Sequence, residues 1–309
     1  REYLTPFFET LSDAIPEKLS QCIVSGNEIQ TIASMCNATN SLDFSIMERT
    51  AFTKMYKKAK EKGTEAISME YDIPQEEVEV LLPSLIVLNR LLKYTVNDSI
   101  LLSNVLLSDA VMFEMLFPKE ASFVVKAYEE FTLQSATSIA ERFGRDIGHI
   151  SRVSSVAIEI YDKMKKLHGY KSRERTLLQV SAILQDIGKY VNVKNHALLS
   201  YNTITNLDIV GINDHERLII ATVCYYHNGN IPSMDSPIYN QLSQEDRVMV
   251  SKLAAILQIS NAINTSHSPK FEQVSVNMKN GKLNIYLTTL KNINLEKWAF
   301  IAKSKLFKE

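Results

Sequence analysis

At 309 residues, 45% of them hydrophobic, the chain is long enough for two domains with full cores. A formal net charge of −1 gives no global pull toward nucleic acid or an anionic membrane. The three cysteines, Cys22, Cys36 and Cys224, have no metal-knuckle spacing and fit reduced thiols of a cytoplasmic protein. Arg1-Glu2-Tyr3-Leu4 lacks the apolar stretch of a secretory leader, and no apolar run is long enough to span a bilayer. The missing initiator Met is expected of a trimmed or excised segment, or of Met removal alone.

Helical periodicity dominates the chain. Cys22-Ile23-Val24 runs into Ser25-Gly26-Asn27 and reads as a strand, a tight turn and then a helix. Ser45-Ile46-Met47-Glu48 has the form of a capping box, predicting a helix to about residue 60 that Gly63 stops. A second helix over about 74–94 contains Pro83, so a kink or break is expected there. Ile100-Leu101-Leu102-Ser103 is again a strand, leading to a helix from near Val105. A domain boundary is placed near residue 118. From there to about residue 267 the pattern is a series of amphipathic helices broken at Gly144, Gly169, Gly188, Gly211 and the 229–237 stretch. Apolar and polar side chains then alternate on both sides of Asn280-Gly281, the preferred pair for a type I′ hairpin turn. A last helix is predicted over about 295–307.

Four helices place a polar residue on an apolar face. His149 shares a stripe with Val153, Val156 and Ile160. Asp186 ends a helix with Leu177, Val180 and Leu184 inward. His227 lies with Ile220, Val223 and Cys224, and Asn264 continues the stripe of Val250, Leu253, Leu257 and Asn261. Helical bundles build metal sites this way. Taken singly, each is more often a hydrogen-bonded core polar group.

The ordered series carries a resemblance. Thr176 to Gly188, ending Leu184-Gln185-Asp186-Ile187-Gly188, resembles a Leu-rich helix ending in His-Asp-Ile-Gly. Asn195-His196 to Ile204 is similar to a His-x-x-His-Ser segment, Ile220 to His227 to an Ala-x-x-x-x-Tyr-His segment, and Leu253 to Asn264 to a helix bearing Ala-Asp-x-Leu-Asp. These are the motifs of the helical, HD-type domain of the exopolyphosphatase/guanosine pentaphosphate phosphohydrolase (Ppx/GppA) family. Upstream, Ser25-Gly26-Asn27 falls where that family has a phosphate loop, and Leu82-Pro83-Ser84 and Ser108-Asp109-Ala110 fall near two further segments.

The resemblance implies an α+β chain, mainly α. Residues 1–118 would be part of the second lobe of an actin-like (ribonuclease H-like) phosphotransferase fold. Residues 119–309 would be an HD-type helical domain with a carboxy-terminal hairpin and helix. It implies hydrolysis of terminal phosphoanhydride bonds with Mg²⁺ in the full-length protein, polyphosphate or a guanosine alarmone as partner, and a homodimer. Nucleic acid is not an expected partner. Ser25, Gly26 and Asn27 would bind phosphate. His149, Asp186, His196 and His227 would be a remnant metal site, with Gln185, Leu199 and Asn264 in place of ligands, so no cofactor is certain for this chain. The family's catalytic carboxylate belongs to a first lobe without a counterpart here, so the chain is expected to be a fragment or shortened member, inactive alone. The alternative is a catalytically silent module that binds polyphosphate or alarmones.

Two basic clusters remain. Lys54, Lys57, Lys58, Lys60 and Lys62 form one, and Lys163, Lys165, Lys166, Lys171, Arg173 and Arg175 the other. With acidic residues interleaved, both read as solvated faces before polyanion sites. Tyr201, Tyr225 and Tyr226 offer rings for a base, or packing.

Overall fold

A computed structural model describes residues 18–40, 44–279 and 281–308. It is mainly helical, with two small sheets, and its described residues fall into two compact units that divide between Ser122 and Phe123. No described helix is long and apolar enough to cross a membrane.

The first unit is a four-stranded mixed sheet with helices. Strand β1 (Ile23–Val24) leads through Gly26 into α1 (Asn27–Met35). Strands β2 (Thr39–Asn40) and β3 (Phe44–Glu48) precede α2 (Arg49–Tyr71) and α3 (Gln75–Leu91). β4 (Ser99–Ser103) and α4 (Leu107–Leu116) follow. The sheet order is β1-β4-β3-β2, with β1 parallel to β4 and the other pairs antiparallel. Its core gathers Ile32, Met47, Phe52, Leu85, Ile100 and Leu102.

Two local expectations change in this unit, at Ser45–Glu48 and at Pro83. Ser45 to Glu48 is a strand, not a helix start: Ser45 pairs with Leu102 and Met47 with Ile100, and both are buried. The Ser45 hydroxyl donates to Asn40 Oδ1 at 2.7 Å instead of capping a helix, which begins only at Arg49. A period-two burial pattern backed by a full ladder outweighs one capping signature. Gly63 breaks α2 where expected, with φ 78 and ψ 175, and a second helical stretch then runs on to Tyr71. α3 runs through Pro83 unbroken.

The second unit is a helical bundle. α5 (Ser122–Arg142) leads into α6 (Ile147–Lys163), and a short α7 (Lys165–His168) ends at Gly169. α8 (Ser172–Leu184) gives way to a 3-10 turn (Ile187–Tyr190), followed by α9 (His196–Ile204) and α10 (Asp214–Tyr226). A short α11 (Pro237–Asn240) precedes α12 (Gln244–Ile263). The hairpin of β5 (Gln273–Lys279) and β6 (Lys282–Thr288) has Gly281 in its turn with φ 71, while Asn280 lies outside the described residues. The carboxy-terminal helix is two pieces, α13 (Asn294–Lys303) and α14 (Lys305–Lys308), parted at Ser304.

α8 and α12 pack on each other and on both α6 and α10, making the centre of the bundle. Every residue of α8 from Thr176 to Leu184 except Gln179 is buried, as is every residue of α12 from Leu253 to Ile263. A helix covered on all sides must satisfy its polar groups internally. Gln258 does so by donating to the carbonyls of Tyr226 at 2.7 Å and Asn230 at 2.9 Å, and Ser181 and Ser260 donate back along their own helices.

Candidate metal centre

Asp186 follows the end of α8, where the backbone leaves helical geometry (φ −110, ψ 9) for the 3-10 turn. That turn is pinned from α9. Ser200 Oγ donates to the Gln185 carbonyl at 2.8 Å and accepts from the Gly188 amide at 2.9 Å. Gly188 itself lies against the backbone of α9, and a Cβ there would collide with the His196 carbonyl oxygen and the Ser200 amide nitrogen. Gly188→Ala is therefore expected to cost about 3 kcal/mol, because backbone cannot step aside as a side chain can. Urea unfolding midpoints of the two proteins check this.

The same close approach brings His196, the first residue of α9, beside Asp186. His227 follows the last residue of α10, and the Cys224 thiol ties that helix to α8 by donating to the Ser181 carbonyl at 3.4 Å. His227 Nε2 is 3.3 Å and His196 Nε2 is 3.6 Å from Asp186 Oδ1, and the two Nε2 atoms are 3.3 Å apart. Both imidazoles meet a backbone carbonyl through Nδ1: His196 that of Val193 at 2.7 Å, and His227 that of Cys224. A carbonyl only accepts, so each Nδ1 carries the proton and each neutral Nε2 presents a bare lone pair. With both rings neutral, three lone pairs converge with no proton among them. Either one ring becomes an imidazolium or a cation stands between them. Burial, then the neighbouring His227, lowers the pKa of His196 and works against the imidazolium.

Asp186 is ionised. Burial pushes its pKa up, but the His227 imidazole and the Lys189 ammonium outweigh that and hold it well below the usual carboxylate range. Lys189, three residues on, puts Nζ 2.7 Å from Oδ2, so the ammonium occupies one carboxylate oxygen and leaves Oδ1 to the histidines. Among the described residues a second group shares Asp186: His149, from the first turn of α6, and His267, beyond α12. Their rings stack with centroids 3.8 Å apart. Neither ring nitrogen of His149 has a hydrogen-bond partner, and burial, with His267, pushes its pKa down to about 4.

The substituted positions behave differently. Gln185 is buried with neither side-chain oxygen nor nitrogen hydrogen-bonded. Asn264 turns back on its own helix, donating to the Ser260 carbonyl at 3.1 Å. Leu199 is half-buried in α9. Sequence reasoning missed Lys189 and His267. Lys189 was signalled by its i,i+3 spacing from Asp186, and His267 by the same spacing from Asn264.

The donors define which ion fits. Two imidazole nitrogens and one carboxylate oxygen, each imidazole oriented by a carbonyl, suit zinc, iron, manganese or cobalt. Mg²⁺ prefers an octahedron of oxygens, which these residues do not offer.

In the first unit, Gly26 turns from β1 into α1 with φ 133, a conformation that favours glycine, and no side chain caps the helix. Glu28 approaches the same turn: a Cβ on Gly26 would be 3.6 Å from its Oε2. Asp109 caps its own helix by accepting from the Leu106 amide at 2.8 Å. The basic clusters are partly neutralised, Lys58 by Glu70, Arg173 by Glu216 and Arg175 by Asp162. The tyrosines pack on one another, Tyr225 edge-on to both Tyr201 and Tyr226.

Residues 133–305 match the family model for Ppx/GppA phosphatase, domain III. The match covers more than half of the chain and contains all of α6 through α12, with Asp186 and all four histidines of the two groups. The chain belongs to the Ppx/GppA phosphatase family.

Proposed function

We propose that this chain is an exopolyphosphatase- or pppGpp-phosphohydrolase-like protein that handles terminal phosphoanhydride bonds, and that its helical unit holds one divalent transition metal on Asp186, His196 and His227. The observation that carries the metal is the convergence of Asp186 Oδ1 and the Nε2 atoms of His196 and His227 within 3.6 Å in a buried setting. One metal, not two, follows from Lys189, whose ammonium already neutralises the second carboxylate oxygen. When bound, such a metal supplies a Lewis acid for a phosphoryl oxygen. Around it the chain's own residues hold Asp186 ionised, keep both Nε2 atoms bare and exclude water.

On this reading residues 1–118 are part of an actin-like lobe, with Ser25, Gly26 and Asn27 as its phosphate loop. The strand-to-helix turn with an uncapped helix start supports that assignment. Residues 119–309 are the HD-type domain. The Mg²⁺ of the phosphoanhydride reaction belongs with the lobes and not with the histidines, and the protein works as a cytoplasmic homodimer. Cleavage is assigned to the full-length protein, and the chain alone is proposed to bind polyphosphate without cleaving it. Metal analysis of the purified chain is expected to give about one equivalent of transition metal. Phosphate release from polyphosphate with Mg²⁺ is expected to stay at background. Absence of metal overturns the first half of the proposal, and turnover by the chain alone overturns the second.

A second reading, a silent sensor of polyphosphate or guanosine alarmones, draws on Gln185 and Asn264, which are neutral where the resembling series carries ionisable ligands. A longer gene product that binds these ligands yet releases no phosphate supports the sensor over the enzyme.

A further inference from the structure

The outer face of α13 is apolar where a surface helix is normally polar. On its inner side α13 packs on α12, with Ala299 buried and the buried Glu296 carboxylate held by Lys270 at 3.0 Å. The helical repeat puts Leu295, Trp298 and Ile301 together on the opposite side. They are 47%, 69% and 71% exposed, and Leu290, in the loop between β6 and α13, is 96% exposed. Trp298 is the only tryptophan of the chain. A cleft of about 280 Å³ borders this face, lined by Ile285 and Leu287 of β6 with Lys297, Phe300 and Ile301. Large apolar side chains exposed side by side mark an interaction surface.

Charge indicates what covers it. From Leu290 to Glu309 the sequence has five lysines and two glutamates, and one of these, Glu296, is already neutralised by Lys270. Lys291, Lys297, Lys305 and Lys308 are exposed, and none forms an ion pair among the described residues. Lys291 donates to the Pro269 carbonyl at 2.8 Å, which leaves its charge unbalanced. A second copy of the chain is a poor occupant, because a two-fold contact would set this lysine-rich face against itself. A protein partner would need a groove shaped to a convex ridge. A bilayer accepts the ridge without one: Trp, Leu and Ile enter the headgroup layer while lysines beside them meet anionic lipid.

We infer that the Leu295–Trp298–Ile301 face of α13 docks on an anionic lipid surface, with Lys291, Lys297, Lys305 and Lys308 drawn to its headgroups. A single short helix enters such a surface shallowly and reversibly. The pull is local, since the chain as a whole has a formal net charge of −1. The inference stands apart from the metal centre and from the proposed phosphoanhydride chemistry, and neither is needed for it.

With no other indole present, Trp298 fluorescence reports on this face directly. Vesicles of mixed phosphatidylcholine and phosphatidylglycerol, added to the full chain, are expected to shift its emission to the blue. Lipids brominated on their acyl chains are expected to quench it. Vesicles of phosphatidylcholine alone should bind at least about tenfold more weakly, and added salt should narrow that gap. In cosedimentation with the mixed vesicles, Trp298→Ala is expected to lower partitioning at least about tenfold, as is Lys297→Gln combined with Lys305→Gln. Thermal midpoints should not move, because all three side chains are exposed. Lys57→Gln combined with Lys60→Gln, at exposed positions of α2, should leave partitioning unchanged. No emission shift with the mixed vesicles overturns the inference, as does equal partitioning of Trp298→Ala and the wild type. Self-association of the chain that Trp298→Ala abolishes, without vesicle binding, gives the face to a second copy and overturns it too.

Discussion

Asp186→Asn is expected to reduce bound transition metal from about one equivalent per chain to under about a tenth, the largest single effect in the molecule. Asp186 is the only anionic donor in the set, and the two imidazoles alone cannot offset the charge of a divalent cation. The substitution keeps the shape of the side chain, so a folded product is expected. It replaces a buried carboxylate oxygen by an amide of weak donor strength. Metal that binds only the native state stabilises by about 2.7 kcal/mol at a hundredfold excess over its dissociation constant. Thermal melts with and without added Zn²⁺ or Mn²⁺ should therefore separate for the wild type and coincide for Asp186→Asn. In chelator the variant is expected to lose about 1–3 kcal/mol, since the Lys189 ammonium loses its charged partner. Part of this is recovered because the Lys189 side chain retains 22% exposure and can reach water. Undiminished metal content in Asp186→Asn would sink the assignment.

How much of this was legible beforehand depends on whether the signal was local. The helical unit was readable because its apolar stripes repeat at helical spacing and its breaks fall at glycines. The hairpin was readable for the same reason, with a period of two. His149, Asp186, His196 and His227 could be picked out as polar residues on apolar faces, and the structure brings all four to one place. Their protonation was not legible, because it is set by the carbonyls of Val193 and Cys224, which no spacing rule points to. In the first unit, Ser45 to Glu48 satisfied a helix-start pattern, and the pairing with β4 that overrides it comes from residues more than fifty positions away. Local patterns lose where the partner is remote.

Acidification of the chelated protein is expected to remove about 3 kcal/mol of stability between roughly pH 6.5 and 4, through His149. In the unfolded chain this imidazole takes its proton near pH 6.5. In the folded chain burial, with His267, holds it neutral down to about 4. Over that window the unfolded state binds the extra proton, so stability falls as pH falls, and the loss levels off below about 4. His196 and His267 are lowered too, chiefly by burial, and act in the same direction. His149→Leu should flatten the part of the curve that His149 contributes. At pH 8 the same variant is expected to be no less stable than the wild type, because neither ring nitrogen has a partner to lose. Urea melts from pH 8 to 4.5 in chelator would show both effects, and parallel curves for the two proteins would refute them. A buried histidine with two unsatisfied nitrogens gains no hydrogen bond to offset its burial, so what it contributes to the fold is its packing on His267.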